Sequence, residues 1–255
     1  MSAADPPPMT RREWRRREEQ ARRSAGTGRP APALSLDLDG AFEQALRPDG
    51  HVGADPHTPA EILIVCTGNI CRSPLAEVLL RERLSGVGVV VRSAGTHALT
   101  GHGMSPEAQE LAVRLGGDPS AAAAHRGRLL DEELLLASDL VLTMTAEHST
   151  FTVQRAPARL RQVFAVRTFA RLSAGLSDAD LQAIAQEAGT APRARLDAVV
   201  RAVGERRGIV PAQGEEEVSD PYRRGMAAYE RSAAELIPAL DEVVRVVRTT
   251  LVTTS

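Results

Sequence analysis

The chain has 255 residues, enough for one large domain or for one ordinary domain with extensions. A formal net charge of −2 gives no reason to expect a nucleic-acid-binding protein, although every one of the 31 basic residues is arginine. No stretch is apolar enough to cross a membrane or to serve as a signal peptide, and two cysteines five positions apart form no disulfide framework, so a reducing cytoplasm is the expected setting.

Residues 1–59 do not read as a domain. Asp5-Pro6-Pro7-Pro8 precedes an arginine-dense run over 11–29, and a Pro/Ala/Gly mixture continues to Pro59. Composition favours a disordered, solvated extension over the alternative, a short basic helix around Trp14 that touches acidic lipid or a polyanion. The pattern changes at residue 60. The apolar run Ile62-Leu63-Ile64-Val65 predicts a buried strand. A turn containing Gly68 follows, and Ser73-Pro74 reads as an N-cap and first helical position, with Leu75, Val78 and Leu79 on the inward face.

Residues 87–92 predict a second strand ending at Ser93-Ala94-Gly95, and 106–115 a helix stopped by Gly116-Gly117. His125 and Arg128 fall in a polar turn before a leucine-rich helix at 131–137. Residues 140–144 read as a third strand, 146–155 as a helix and 162–166 as a fourth strand. This alternation predicts an α/β domain over 60–252: a four-stranded parallel sheet with helices on both faces. Ligands of such sheets sit beyond the C-terminal ends of the strands, where the loop after Val65 lies.

The rhythm breaks at 173–217, which reads as a two-helix insertion. Ser177-x-x-Asp180 has the form of a capping box, and Leu181, Ile184, Ala185 and Ala188 repeat at helical spacing. Leu196, Val199, Val200 and Val203 do the same after Pro192. The insertion ends close to Asp220, which leaves open whether it covers or restricts the site. A final helix over 226–250 presents Tyr229, Ala233, Leu236, Ile237, Leu240, Val244 and Val247, with a kink expected at Pro238.

The chemistry concentrates in Cys66-Thr67-Gly68-Asn69-Ile70-Cys71-Arg72-Ser73-Pro74. A loop that runs from a strand into a helix N-terminus offers unpaired N–H groups and the positive end of the helix dipole to an anion. That field favours a thiolate at Cys66, the nucleophilic form of the side chain. At the far end of the loop, the Arg72 fork can grip two phosphate oxygens. Cys71 is open to two readings: a small buried side chain, or a thiol that captures an oxidised Cys66 as a disulfide.

These residues closely resemble the phosphate-binding loop of the low-molecular-weight protein tyrosine phosphatases. The match extends to Leu75-Ala76-Glu77, Ser93-Ala94-Gly95-Thr96 and Asp220-Pro221-Tyr222. The resemblance implies the low-molecular-weight phosphatase fold and hydrolysis of phosphotyrosine proteins, or of small phosphomonoesters, through a phosphocysteine on Cys66. It makes Asp220 the general acid, though an Asp before Pro is on its own an ordinary turn residue. It gives phosphate binding to the backbone of Thr67, Gly68, Asn69, Ile70, Cys71 and Ser73, with Arg72 as clamp and the Ser73 hydroxyl donating to the sulfur. Ser93 and His125 would support Asn69, and Tyr222 would flank the substrate ring; a lone His125 is equally at home in an ordinary structural role. No cofactor and no metal is implied. Arg223 stands where many relatives carry a second aromatic. Arsenate reduction on the same fold is the alternative, but it needs further thiols or a small thiol partner, and only Cys71 is at hand.

Overall fold

A computed structural model describes residues 58–212 and 216–252. All but the last two residues of the expected N-terminal extension lie outside the described residues. The apolar run at 62–65 is the centre of a longer strand, β1 (Ala60–Cys66), in which only Glu61 is not fully buried. Such a strand, apolar on both faces, suits the middle of a parallel sheet. It pairs in parallel with β2 (Val89–Gly95) on one side and β3 (Leu140–Thr143) on the other, and β3 pairs with β4 (Val163–Ala165). The order is β2-β1-β3-β4, which puts the end of β1 at the point where the connections diverge to the two sides of the sheet.

Helix α1 (Arg72–Arg83) departs from expectation at its start. It begins at Arg72 with Cys71 in the cap position and no side-chain cap, so Ser73 and Pro74 lie inside its first turn. The reason is that the Ser73 hydroxyl is engaged by the Cys66 sulfur and the Asn69 amide instead of by the helix. Further on, α2 (Pro106–Arg114) is capped by Ser105, and α3 (Pro119–Ala124), capped by Asp118, is a helix the sequence pattern missed because a run of alanines carries no apolar period. Asp131 caps α4 (Glu132–Ala137) and Thr145 caps α5 (Ala146–Arg155). A second unexpected helix, α6 (Val166–Ser173), follows β4 with no intervening loop. The two expected helices of the 173–217 segment are present as α7 (Asp178–Glu187), with its capping box intact, and α8 (Pro192–Glu205). The long helix α9 (Met226–Leu251) continues through Pro238.

Alternation along β1 sorts the layers. Ile62, Ile64 and Cys66 enter the larger core with Leu79 of α1, Phe169 of α6 and Leu240 of α9. Leu63 and Val65 face a smaller core with Leu135 of α4 and Phe151 of α5. Helices therefore cover both faces of the sheet.

The 173–217 segment is woven into the larger core. Leu181, Ala185, Leu196, Val199, Val200 and Val203 are fully buried there. Arg193 of α8 clamps Asp139, just before β3, with Nε 3.0 Å from Oδ1. That is the N-terminal end of the sheet, opposite the Cys66 loop. No residue of 173–212 lines the cleft at Cys66, and the two helices pack as scaffold, whereas Glu217 at the end of the segment lines a neighbouring cavity with Thr67, Arg72 and Asp220. The amphipathic period was legible; which surface the apolar faces meet was not.

Candidate active site

The Cys66 loop is shaped by its neighbour strand. In the parallel register Cys66 lies opposite Gly95, and a Cβ on Gly95 would stand 2.5 Å from the Thr67 carbonyl oxygen. Only glycine lets the loop settle this close. The chain after β2 then takes up the loop's carbonyls: Thr96 N–H donates to Cys66 O at 2.9 Å, His97 to Thr67 O at 2.9 Å and Leu99 to Gly68 O at 3.0 Å. Ser105 N–H donates to Ile70 O at 2.8 Å. The loop's oxygens are thus bonded outward to the segment after β2.

Asn69 fixes the curve. It is fully buried with φ +54°, a left-handed conformation that asparagine tolerates better than most residues. Its Nδ2 donates to Ser73 Oγ at 3.0 Å and to Ser93 Oγ at 2.7 Å, and its Oδ1 accepts from the Arg128 N–H at 2.9 Å. His125 Nε2 lies 2.8 Å from the Asn69 carbonyl, which requires the ring proton on Nε2. Burial, chiefly, holds the His125 pKa below its ordinary value. Ser93 Oγ in turn donates to the buried Glu77 carboxylate. All the residues expected to support the loop do meet there. Glu77 joins them; its place in the Leu75-Ala76-Glu77 match was the one sign of it.

At the mouth of this loop the Cys66 sulfur is 2.9 Å from Ser73 Oγ. Arg72 is buried and reaches across the loop: Nη1 donates to the Val218 carbonyl at 2.9 Å, Nη2 to Thr67 Oγ1 at 3.4 Å, and Nη2 lies 3.2 Å from Asp220 Oδ1. Its buried Nε has no hydrogen-bond partner among the described residues. A buried guanidinium N–H without an acceptor is costly, and an anionic oxygen is the acceptor that suits it best. Val218, which no local signal marks, anchors the segment leading to Asp220: its N–H donates to Met144 O at 2.9 Å while its carbonyl takes Arg72.

These groups open on a cleft of about 170 Å³ lined by Cys66, Thr67, Ile70, Arg72, Asp220 and Tyr222, with His97 and Leu99 on its wall. Asp220 is 52% exposed, free to meet a ligand and water. Arg223 stacks its guanidinium on Tyr222, 5.2 Å from the ring centroid, and is not part of the cleft wall. Ile70, His97 and Leu99 line the cleft. Cys71 is buried, with its sulfur 3.5 Å from Ser105 Oγ and 3.4 Å from Tyr229 Oη; burial pushes its thiol pKa up. Both cysteines are free thiols. Among the described residues no group of three or more His, Cys, Asp or Glu is placed to hold a metal, and no helix is long and apolar enough to cross a membrane.

A strand–loop–helix anion site with a cysteine, an arginine and a facing carboxylate defines a class of cysteine-dependent phosphate-handling proteins. Comparison narrows the class. A family model described as low molecular weight phosphotyrosine protein phosphatase matches residues 61–183. The low molecular weight protein-tyrosine-phosphatase Etp of Escherichia coli K12 is 45% identical over 96 residues, 38% of this chain and 62% of Etp. The probable low molecular weight protein-tyrosine-phosphatase EpsP of Ralstonia nicotianae is 43% identical over 103 residues, 40% of this chain and 68% of EpsP. The protein-arginine-phosphatase of Geobacillus stearothermophilus is 39% identical over 111 residues, 44% of this chain and 72% of that relative. The solved YwlE arginine phosphatase of the same organism superposes with TM-score 0.51 at 26% identity, covering 73% of this chain and 91% of YwlE. The chain belongs to the low-molecular-weight phosphotyrosine protein phosphatase family. The matched region spans under two thirds of Etp, and the family match ends before Asp220 and Tyr222, so Asp220 rests on its motif and its Arg72 contact, and Tyr222 on its motif and its place on the cleft wall.

Proposed function

We propose that the protein is a protein-tyrosine phosphatase that hydrolyses phosphotyrosine, or small aryl phosphomonoesters, through a phosphocysteine on Cys66. The observation that carries this reading is the convergence of Cys66, Arg72 and Asp220 on one cleft, with the buried Arg72 Nε lacking an acceptor. The phosphoryl group would bind between the loop N–H groups and Arg72. The Cys66 thiolate attacks phosphorus, the bond to the aryl oxygen breaks, and Asp220 delivers a proton to that oxygen. Asp220 then takes a proton from water, which attacks phosphorus and breaks the P–S bond. Ser73 Oγ, 2.9 Å away, donates to the departing sulfur. In this reading Asn69, Ser93, His125 and Glu77 hold the loop, and Tyr222 flanks the substrate ring beside Ile70 and Leu99.

Relatives named for tyrosine and for arginine phosphatases both match this chain, and the apolar and aromatic wall of Ile70, Leu99 and Tyr222 favours an aryl ring over a guanidino group. Arsenate reduction gains no support: the relatives above are phosphatases, and Cys71 is the one thiol besides Cys66. The test is steady-state hydrolysis of an aryl phosphate, a phosphotyrosine peptide and a phosphoarginine peptide, with an arsenate-reduction assay alongside. Turnover of the phosphotyrosine peptide above the phosphoarginine peptide is expected; preference for phosphoarginine, or reduction of arsenate without phosphatase activity, would overturn it.

A further inference from the structure

His148 has no part in the mechanism above, yet it sits against the cleft. It lies in the first turn of α5, is buried, and bridges two threonine hydroxyls: Nδ1 is 2.9 Å from Thr145 Oγ1 and Nε2 is 2.9 Å from Thr67 Oγ1. Thr145 Oγ1 already accepts from the His148 backbone N–H at 3.3 Å, as the cap of α5. Thr67 Oγ1 already accepts from Arg72 Nη2 at 3.4 Å.

Counting protons leaves two arrangements, because a neutral imidazole carries one N–H. With that proton on Nδ1, Thr145 accepts twice and its own proton has no assigned acceptor, while Thr67 O–H is taken up by Nε2. With the proton on Nε2, Thr145 donates to Nδ1 and Thr67 Oγ1 accepts from both His148 and Arg72. The one undirected proton is then that of Thr67, an exposed residue on the cleft wall. An anion held at Arg72 gives this proton an acceptor and stabilises the second arrangement over the first.

We propose that His148 is a positioning residue that turns the Thr67 hydroxyl proton toward a phosphoryl oxygen bound in the Cys66 cleft. The cleft thereby gains an O–H donor beside the Arg72 fork. The proposal rests on the phosphatase reading only in taking the ligand to be a phosphoryl group. The ring must be neutral to work this way. Burial first, and Arg72 next, push its pKa down to about 4, with His97 acting in the same direction and Asp220 in the opposite one.

The test is calorimetric titration of inorganic phosphate into the full chain and its Thr67→Val, His148→Ala, His148→Gln and Thr67→Val/His148→Ala variants. Aryl phosphate kcat/KM is measured in parallel, and ring ¹⁵N shifts of the wild type are recorded with and without phosphate. Each of the Thr67→Val and His148→Ala changes should weaken phosphate binding about tenfold, the size of one hydrogen bond to a charged acceptor. The double variant should bind no more weakly than Thr67→Val alone, since His148 acts through that hydroxyl. His148→Gln, whose amide N–H can reach the position of Nε2, should recover most of the loss. The phosphate-bound ring should be protonated on Nε2. Additive losses in the double variant, or a bound ring protonated on Nδ1, would overturn the proposal. Should His148→Ala fail to fold, the wild-type ring shifts and the Gln variant decide the matter. A wild type that binds phosphate without hydrolysing aryl phosphate would defeat the phosphatase reading alone, because the binding cycle would still judge His148.

Discussion

Arg72 Nη2 lies 3.2 Å from Asp220 Oδ1, while the Nε of the same buried guanidinium has no hydrogen-bond partner among the described residues. One arginine thus links the anion loop to the carboxylate that faces it and keeps a donor in reserve. Asp220 sits within reach of a group bound at Arg72, and its exposure lets water reach it in turn.

Asp220→Ala should therefore slow hydrolysis of aryl phosphates with poor leaving groups by about a hundredfold, the usual size of a general-acid contribution. Inhibition by inorganic phosphate should be kept, since the change releases Arg72 Nη2 from a competing carboxylate. The loss should shrink for leaving groups that need no proton. Equal slowing of all substrates in steady-state assays would show a positional role instead.

Cys66→Ser should abolish turnover and still bind phosphate, because the loop N–H groups and Arg72 remain. Calorimetry with inorganic phosphate and a single-turnover assay check both halves. Residual hydrolysis by a clean preparation would mean that another group is the nucleophile.

Asn69→Ala removes the amide that ties Ser73, Ser93 and Arg128 to the loop, and puts alanine at a left-handed φ. Leaving several buried groups short of a partner should cost about 2–3 kcal/mol in denaturant unfolding. Aryl phosphate kcat should fall even at temperatures where the variant is folded, since the loop that presents Cys66 and Arg72 has lost its brace.

Leu196 of α8 is fully buried in the larger core and does not line the cleft. Leu196→Ala should lower stability by about 2–5 kcal/mol, the range for emptying such a site, while kcat/KM on a small aryl phosphate at low temperature stays within about twofold. A selective effect on phosphopeptides with unchanged stability would show that this segment covers the site.

His148 titrates near 6.5 in an unfolded chain and at about 4 in the fold. Between those values the unfolded state binds more protons, so stability rises with pH across that window. The contribution of the neutral ring is complete above pH 6.5 and is lost as pH falls toward 4. Burial lowers the His125 pKa too, which acts in the same direction. In thermal melts the wild type should lose Tm on acidification more steeply than His148→Gln. Parallel Tm profiles would place the ring in contact with solvent.

The sequence by itself determined the features whose causes are local. An apolar run of strand length, a glycine turn and a helix with Pro74 in its first turn follow from periodicity and backbone chemistry, so the Cys66 loop and the alternating sheet could be read from neighbouring residues. Even the helices at 178–187 and 192–205 announced themselves by capping box and apolar spacing. The tertiary structure decided what depends on which surfaces meet. The two helices proved to be scaffold because their apolar faces pack into the larger core and Arg193 fastens α8 at the far end of the sheet. Ser73 gave up its capping role because the fold brings the Cys66 sulfur and the Asn69 amide to its hydroxyl. Glu77, His148 and Val218 reach the site through partners distant along the chain. Hydrogen bonds of that kind leave no period in a sequence, since they form only after burial has brought the strands and helices together.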